Sequence, residues 1–486
     1  MRISCPGWDP RDPNPNVREL LGSRIGNEKL MLMFASGNSI RARLVRNTAW
    51  AVVGTGVYQA LLVATSIITG RSLGGETFGQ FGVVQSTTAM FGTFIGTALG
   101  LASTKHVAQY RDTDPARAGR IIGLCGLSSL ALGTVASALL FALAQPLATG
   151  VFHSPSLIGP LQSASLLLLF HIWNGSQQGI LAGFEAFFAI ARINVVRGVC
   201  TVGLSTWALH YWKLPGAVWA LTASAATACF LSTHAIRRVT MRRGLVVHWK
   251  TAWRERSILA GFSLPAVLTG AVIAPVTWGV SALLASQPNG YAQIGLFTAA
   301  NHWRMAVCFV PGTLVQVTMP VLSNLLGIAD KTRYTRTLAF SLLSSLVASL
   351  AAAVPIIALA KVIMAWYGVD FRSGVAPLVV LQVAAILTSL CSALGAAIAC
   401  TGRMWSSFIL NFVWGIILMV LVYGQNPRTA KGVAWAYVGA YAAHTIFQGL
   451  LLLRANASQR TLLWVENPDT KRAVAIAAAS GPPANS

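Results

Sequence analysis

The chain has 486 residues, of which 55% are hydrophobic and only 10% charged, against about 25% charged in an ordinary soluble domain. With a mean hydropathy of +0.62 it has too few charges to cover a soluble surface, and apolar runs of about 20 residues recur, each long enough to cross roughly 30 Å of hydrocarbon. A net charge of +23 would suggest nucleic-acid binding in a soluble protein, but the basic residues lie between the apolar runs. With no zinc-finger, RRM or helix-turn-helix pattern, a nucleic-acid partner is not expected.

In chain order, residues 1–40 are polar and rich in Pro and Asn, without a signal-peptide core. A disordered cytoplasmic extension is expected there, with Met31 and Met33 as alternative starts. Apolar spans follow near 47–70, 79–103, 121–144, 160–181, 193–212 and 215–235, then 258–285, 293–316, 338–360, 375–400, 404–423 and 432–453. In hydrocarbon every backbone polar group must be satisfied within its own segment, and runs of this length do that as helices, not as barrel strands of about ten residues. The expected fold is therefore an all-α membrane protein of about twelve transmembrane helices in two six-helix lobes. The N-lobe covers 41–235, a basic cytoplasmic linker 236–257, the C-lobe 258–455 and a cytoplasmic tail 456–486.

Basic residues fix the orientation. Twenty-four Lys and Arg fall in alternate loops or at their edges, among them Arg41, Lys105, Arg117, Arg237, Lys331 and Arg454, against six on the other side: Arg71, Lys213, Lys361, Arg372, Arg428 and Lys431. The alternation holds through all twelve spans and places both termini in the cytoplasm. The linker mixes Arg237, Arg238, Arg242 and Arg243 with Leu245, Val246, Trp249 and Trp253; it reads either as an amphipathic helix on anionic lipid or as a basic topogenic connection. The seven cysteines are scattered without metal-ligand spacing and read as small buried hydrophobes.

An internal repeat is visible: Phe78-Gly79-Gln80-Phe81-Gly82 matches Tyr291-Ala292-Gln293-Ile294-Gly295, each opening the second span of its half, and Asn194 and Gly198 are echoed by Asn411 and Gly415. Parallel six-helix repeats are a transporter signature, with the site between the lobes.

Several motifs in this order resemble one family. They are Arg46-Asn47, Leu73-Gly74-Gly75-Glu76-Thr77-Phe78-Gly79-Gln80-Phe81, the basic segment Thr104 to Arg111 after Gly100-Leu101, Leu181-Ala182-Gly183-Phe184-Glu185 with Asn194, and Pro320-Val321-Leu322-Ser323. The chain resembles, over about residues 41–455, the bacterial oligosaccharide and polysaccharide flippases of the O-antigen type, within the multidrug/oligosaccharidyl-lipid/polysaccharide exporter superfamily. The resemblance implies a MATE-like pair of lobes around a central cavity in the inner membrane. It also implies movement of an undecaprenyl-diphosphate-linked oligosaccharide to the periplasmic leaflet, by a monomer working beside a polysaccharide polymerase and glycosyltransferases. The second-half motif departs from the first at Ala292, and no counterpart of Lys105 and His106 follows it, so the lobes have diverged.

Ionisable residues within spans cost about 2.5–3.5 kcal/mol each on insertion scales and mark functional positions by default. Arg304 falls near the middle of span eight with Asn301 on its face, and is expected either to line a cavity and meet an anion or to bond the carbonyls of a helix broken at Pro311. Arg197 shares a face with Asn194 and is open to two readings, a bond to a neighbouring helix or contact with the substrate diphosphate; Arg192, at the edge, is expected to snorkel. His171, Asn174 and Gln178 form one polar stripe, with Gln177 beside it, suited to interhelical hydrogen bonds or to sugar hydroxyls. Trp173 and Trp303 are candidates for stacking on sugar rings.

None of the thirteen acidic residues sits in mid-span, which disfavours a cationic-drug antiporter. No nucleotide-binding loop, metal cluster or nucleophile elbow is present in the sequence, so neither a cofactor nor an enzymatic activity is expected. The alternative function is an ion-coupled multidrug or small-solute exporter of the same superfamily. A membrane-embedded glycosyltransferase or ligase would call for larger outside loops than these.

Overall fold

A computed structural model describes residues 15–249, 251–256, 272–327, 330–401 and 404–458. Among them the regular structure is helical and no strand occurs. The helices are α1 (Pro15–Tyr110), α2 (Pro115–Pro146), α3 (Ile158–Gly183), α4 (Phe187–Arg242), α5 (Ile273–Ala285), α6 (Gly290–Gly327), α7 (Lys331–Ala358), the short α8 (Ala360–Tyr367), α9 (Val375–Cys400), α10 (Met404–Tyr423) and α11 (Ala430–Ser458). Nine described helices are long and apolar enough to cross a membrane. α1 is interrupted at Gly74 (φ 76, ψ 170) and α4 at Lys213 (φ 48, ψ −127). With each interrupted helix counted as two segments and α5 as one, the expected twelve are present.

Local chemistry sets the helix starts. Asp114 accepts the Arg117 amide at 2.9 Å ahead of Pro115, and Asp330 accepts the Arg333 amide at 2.9 Å, each satisfying a donor left open at a helix start. At Gly74 the backbone enters a region closed to side chains with a Cβ, so the first two spans join through a single kinked residue.

Two sequence expectations change. Residues 15–40, expected to be disordered, are helical and run into the first span; the stretch from Arg18 to Met33 is rich in Leu, Glu, Lys and Met, which favour helix. Residues 1–14, the start of span seven at 258–271 and the tail beyond 458 lie outside the described residues. The linker is neither a surface helix nor a loose loop. α4 continues to Arg242, and the chain then lies along α2: the His248 amide donates to the Gly119 carbonyl at 3.3 Å. A Cβ on Gly119, Gly123 or Gly126 would meet Val246, His248 or the Trp249 ring. Glu255, in a 3-10 turn, pins the end of this strap to Arg117 and Arg120 at 3.1 Å each.

The two repeat motifs pack directly on each other. A Cβ on Gly79 would run into the Tyr291 carbonyl, and one on Gly295 into that of Gly75, so this crossing of α1 and α6 needs glycine on both helices. The largest apolar core surrounds the crossing and draws on both halves, from Phe78 and Val84 to Phe297, Leu378 and Trp414.

Candidate functional site

Away from that crossing the halves part around a cavity of about 900 Å³. Along α1 its wall runs from Gly82 to Thr104, and at the α3–α4 turn it reaches Ala182 and Ile190. It therefore approaches the end that carries Lys105, Arg111 and Arg117. The opposite end is shut by the Gly79–Tyr291 and Gly295–Gly75 contacts.

Each half contributes one arginine to the wall. Arg304, 8% exposed, donates to Asn301 Oδ1 at 2.7 Å and to Thr388 Oγ1 at 3.5 Å, and its guanidinium lies 5.6 Å from the centre of the Tyr437 ring. These partners are side chains, not the carbonyls of a helix broken at Pro311. Arg197 donates to His171 Nε2 at 2.9 Å and lies 5.3 Å from the Tyr58 ring centre. Both arginines thus have neutral partners only, and the positive charge of each remains available to an anion in the cavity. The lining contains no Asp or Glu.

The other expected positions divide. Asn301, His171 and Gln178 line the cavity. Asn174 touches it but is 5% exposed and donates to Ser232 Oγ at 3.4 Å, so its amide ties α3 to α4. Gln177 does likewise, donating to the Cys229 carbonyl and to Thr233. Asn194 is absent from the lining; three residues before Arg197, it points about 60° away and one turn nearer the helix end. Trp303 is also absent from the lining and packs on the central core, because one helical step from His302 swings the side chain by about 100°. Trp173 does not line the cavity either, and Arg192 is exposed outside it, as a snorkelling residue would be.

The stripe missed in the sequence lies on α1, where Gln59, Gln85, Ser86 and Thr97 join the wall together with Gly92, Gly96 and Gly100. Its signal was present as small and polar residues at helical spacing in an otherwise apolar span. At the rim beyond Thr104, burial, helped by Lys105 and Arg117, holds His106 below the usual histidine range, so it adds no charge there at neutral pH.

A family model described as polysaccharide biosynthesis protein matches residues 44–326. The chain belongs to this family. Its similar relatives include the EPS I polysaccharide export inner membrane protein EpsE of Ralstonia solanacearum, 27% identical over 412 residues, 83% of this chain and 92% of that one. The namesake of Ralstonia nicotianae is 27% identical over 392 residues, covering 80% and 88%. Among solved structures, an inward-facing MATE family multidrug transporter of the MOP superfamily has a TM-score of 0.65 at 14% identity, covering 85% of this chain and 99% of that one. A Pyrococcus furiosus MOP superfamily transporter whose binding pocket is described as of reverse polarity has a TM-score of 0.68 at 16% identity, covering 86% and 96%. The fold of this polysaccharide biosynthesis family member is thus that of the MATE-like transporters, and it is a multi-pass inner-membrane protein.

Proposed function

We propose that the protein is a flippase for a lipid-linked oligosaccharide. It takes an undecaprenyl-diphosphate-linked glycan from the cytoplasmic leaflet and releases it to the periplasmic leaflet by alternating access, for polysaccharide export. One observation carries this reading: a single cavity receives Arg304 from one half and Arg197 from the other and contains no carboxylate. In such a site a diphosphate finds two planar donors, while a cationic drug finds nothing to balance its charge. Gln59, Gln85, Gln178 and Asn301 add amides, which both donate and accept as sugar hydroxyls require. The basic-residue rule makes the open end cytoplasmic, the side on which such a substrate is assembled.

The test is reconstitution in liposomes with a fluorescent polyprenyl-diphosphate-linked oligosaccharide on one leaflet. Transfer to the other leaflet, without efflux of a cationic dye, is the expected result. Dye efflux without glycan transfer would return the protein to the small-solute exporters of the superfamily.

A further inference from the structure

The closed end of the cavity holds a feature that the transport reading does not use. After α7 the C-lobe forms α8 and then a 3-10 turn, Val369–Gly374, and this short segment leans across onto the N-lobe half of α1. Tyr367, 1% exposed, sets its hydroxyl 3.1 Å from Ser66 Oγ. Its ring and that of Phe371 enclose Phe78, with ring centres 6.1 and 5.7 Å away. Asp370 Oδ2 accepts the amide of Gly75 at 3.1 Å. Gly75 is the first residue after the kink at Gly74, so the C-lobe carboxylate caps the start of an N-lobe helix, where open amides and the helix dipole favour negative charge. A helix normally supplies such a cap from its own preceding residue, whereas here the cap exists only while the lobes touch.

The same contact reaches the cavity. Ser66 Oγ also lies 3.0 Å from His302 Nδ1, and His302 belongs to the cavity wall, two residues before Arg304. A chain of hydrogen bonds therefore runs from the wall through Ser66 to Tyr367.

We infer that the segment from Ala360 to Gly374 is a bolt on the periplasmic gate. Tyr367 and Asp370 hold the lobes shut on that side while the cavity faces the cytoplasm, and they withdraw before the cavity opens outward. The Ser66 hydroxyl is the point at which a ligand that displaces His302 loosens Tyr367. From the transport reading the inference takes only the requirement that the cavity open on both sides.

A Cβ built on Gly75 lies 3.2 Å from that of Asp370, close to the roughly 3.5–4.5 Å that a disulfide spans. The pair Gly75→Cys and Asp370→Cys should therefore cross-link in the oxidising periplasm. With the bond formed, glycan export falls at least about tenfold below that of either single variant and returns on adding dithiothreitol. A second readout needs no substrate: a third cysteine at Gln85 in the cavity wall should be protected from a membrane-impermeant thiol reagent applied from the periplasm, and should become reactive on reduction. Protection that follows the bond in protein that exports no glycan would keep the bolt and overturn the substrate. Failure of the pair to cross-link would overturn the bolt, as would cross-linked protein whose cavity still reacts from outside. Independently, Tyr367→Phe, which keeps the ring and removes the bond to Ser66, should raise periplasmic labelling of that cysteine severalfold, and unchanged labelling would count against the relay.

Discussion

Arg197 Nη2 lies 2.9 Å from His171 Nε2, and since a guanidinium only donates, the histidine must offer that nitrogen as acceptor and carry its proton on Nδ1. The two side chains form one unit on the cavity wall: the ring aims the guanidinium, and Tyr58 supports it from α1. Sequence spacing paired Arg197 with Asn194 on the same helix, whereas the partner that matters comes from α3.

His171→Gln should preserve export, because an amide oxygen can still accept from Arg197. His171→Leu should lower export severalfold and Arg197→Gln about tenfold, a loss of roughly 1.4 kcal/mol of interaction. Initial rates of glycan transfer in matched proteoliposomes make the comparison. If Gln and Leu at 171 behave alike, His171 does not act by orienting the arginine.

Arg304 has its own prediction. Its bonds to Asn301 and Thr388 are to neutral groups, so Arg304→Gln should leave the protein folded and inserted while transfer falls at least about tenfold, again roughly 1.4 kcal/mol. Lys at 304 should restore transfer in part if charge alone matters, and poorly if a planar fork is required. Wild-type transfer by a well-expressed Gln variant would remove the main support for an anion-binding cavity.

Topology is checked by reporter fusions at Ser286, after α5, and at Asp330, which caps α7. The basic-residue alternation puts Ser286 outside and Asp330 in the cytoplasm. The same compartment for both would break the two-lobe orientation and reverse the side on which the cavity opens.

The parts of this protein that were legible in the sequence are those governed by the bilayer. Hydrophobic length gave twelve segments, and the repeat at Phe78 and Tyr291 marked the helices that cross. Arg304 was found because a charge at that depth is costly. The partners of each polar residue were not legible, since they come from helices far apart in the chain: Asn174 turned to Ser232, Trp303 to the core, and Asp370, in what reads as a short outside loop, to Gly75. The linker was misjudged for the same reason. Its Trp249 and basic residues suggest a membrane surface, but Gly119, Gly123 and Gly126 of α2 make the groove that takes it.

That groove yields the last prediction. On Gly119 a Cβ would strike the carbonyl of Val246, which is backbone and cannot swing aside, and on Gly123 it would come within 2.9 Å of the His248 carbonyl. Gly119→Ala must therefore lift the strap from α2, breaking the bond from the His248 amide to the Gly119 carbonyl and straining the hold of Glu255 on Arg117 and Arg120. Overpacking of this kind costs about 1–3 kcal/mol, so the purified protein should melt at lower temperature in detergent. Proteolysis should then cut between Arg243 and Arg256 more readily. Gly150→Ala is the control, because nothing lies within 4 Å of a Cβ at that position, and it should melt like the wild type. Glu255→Gln should reproduce part of the effect, because it keeps the side chain's shape and removes the charge that the two arginines share. Equal melting temperatures for the Gly119 and Gly150 variants would mean that the linker does not contribute to the stability of the N-lobe, and that α2 holds its place without it.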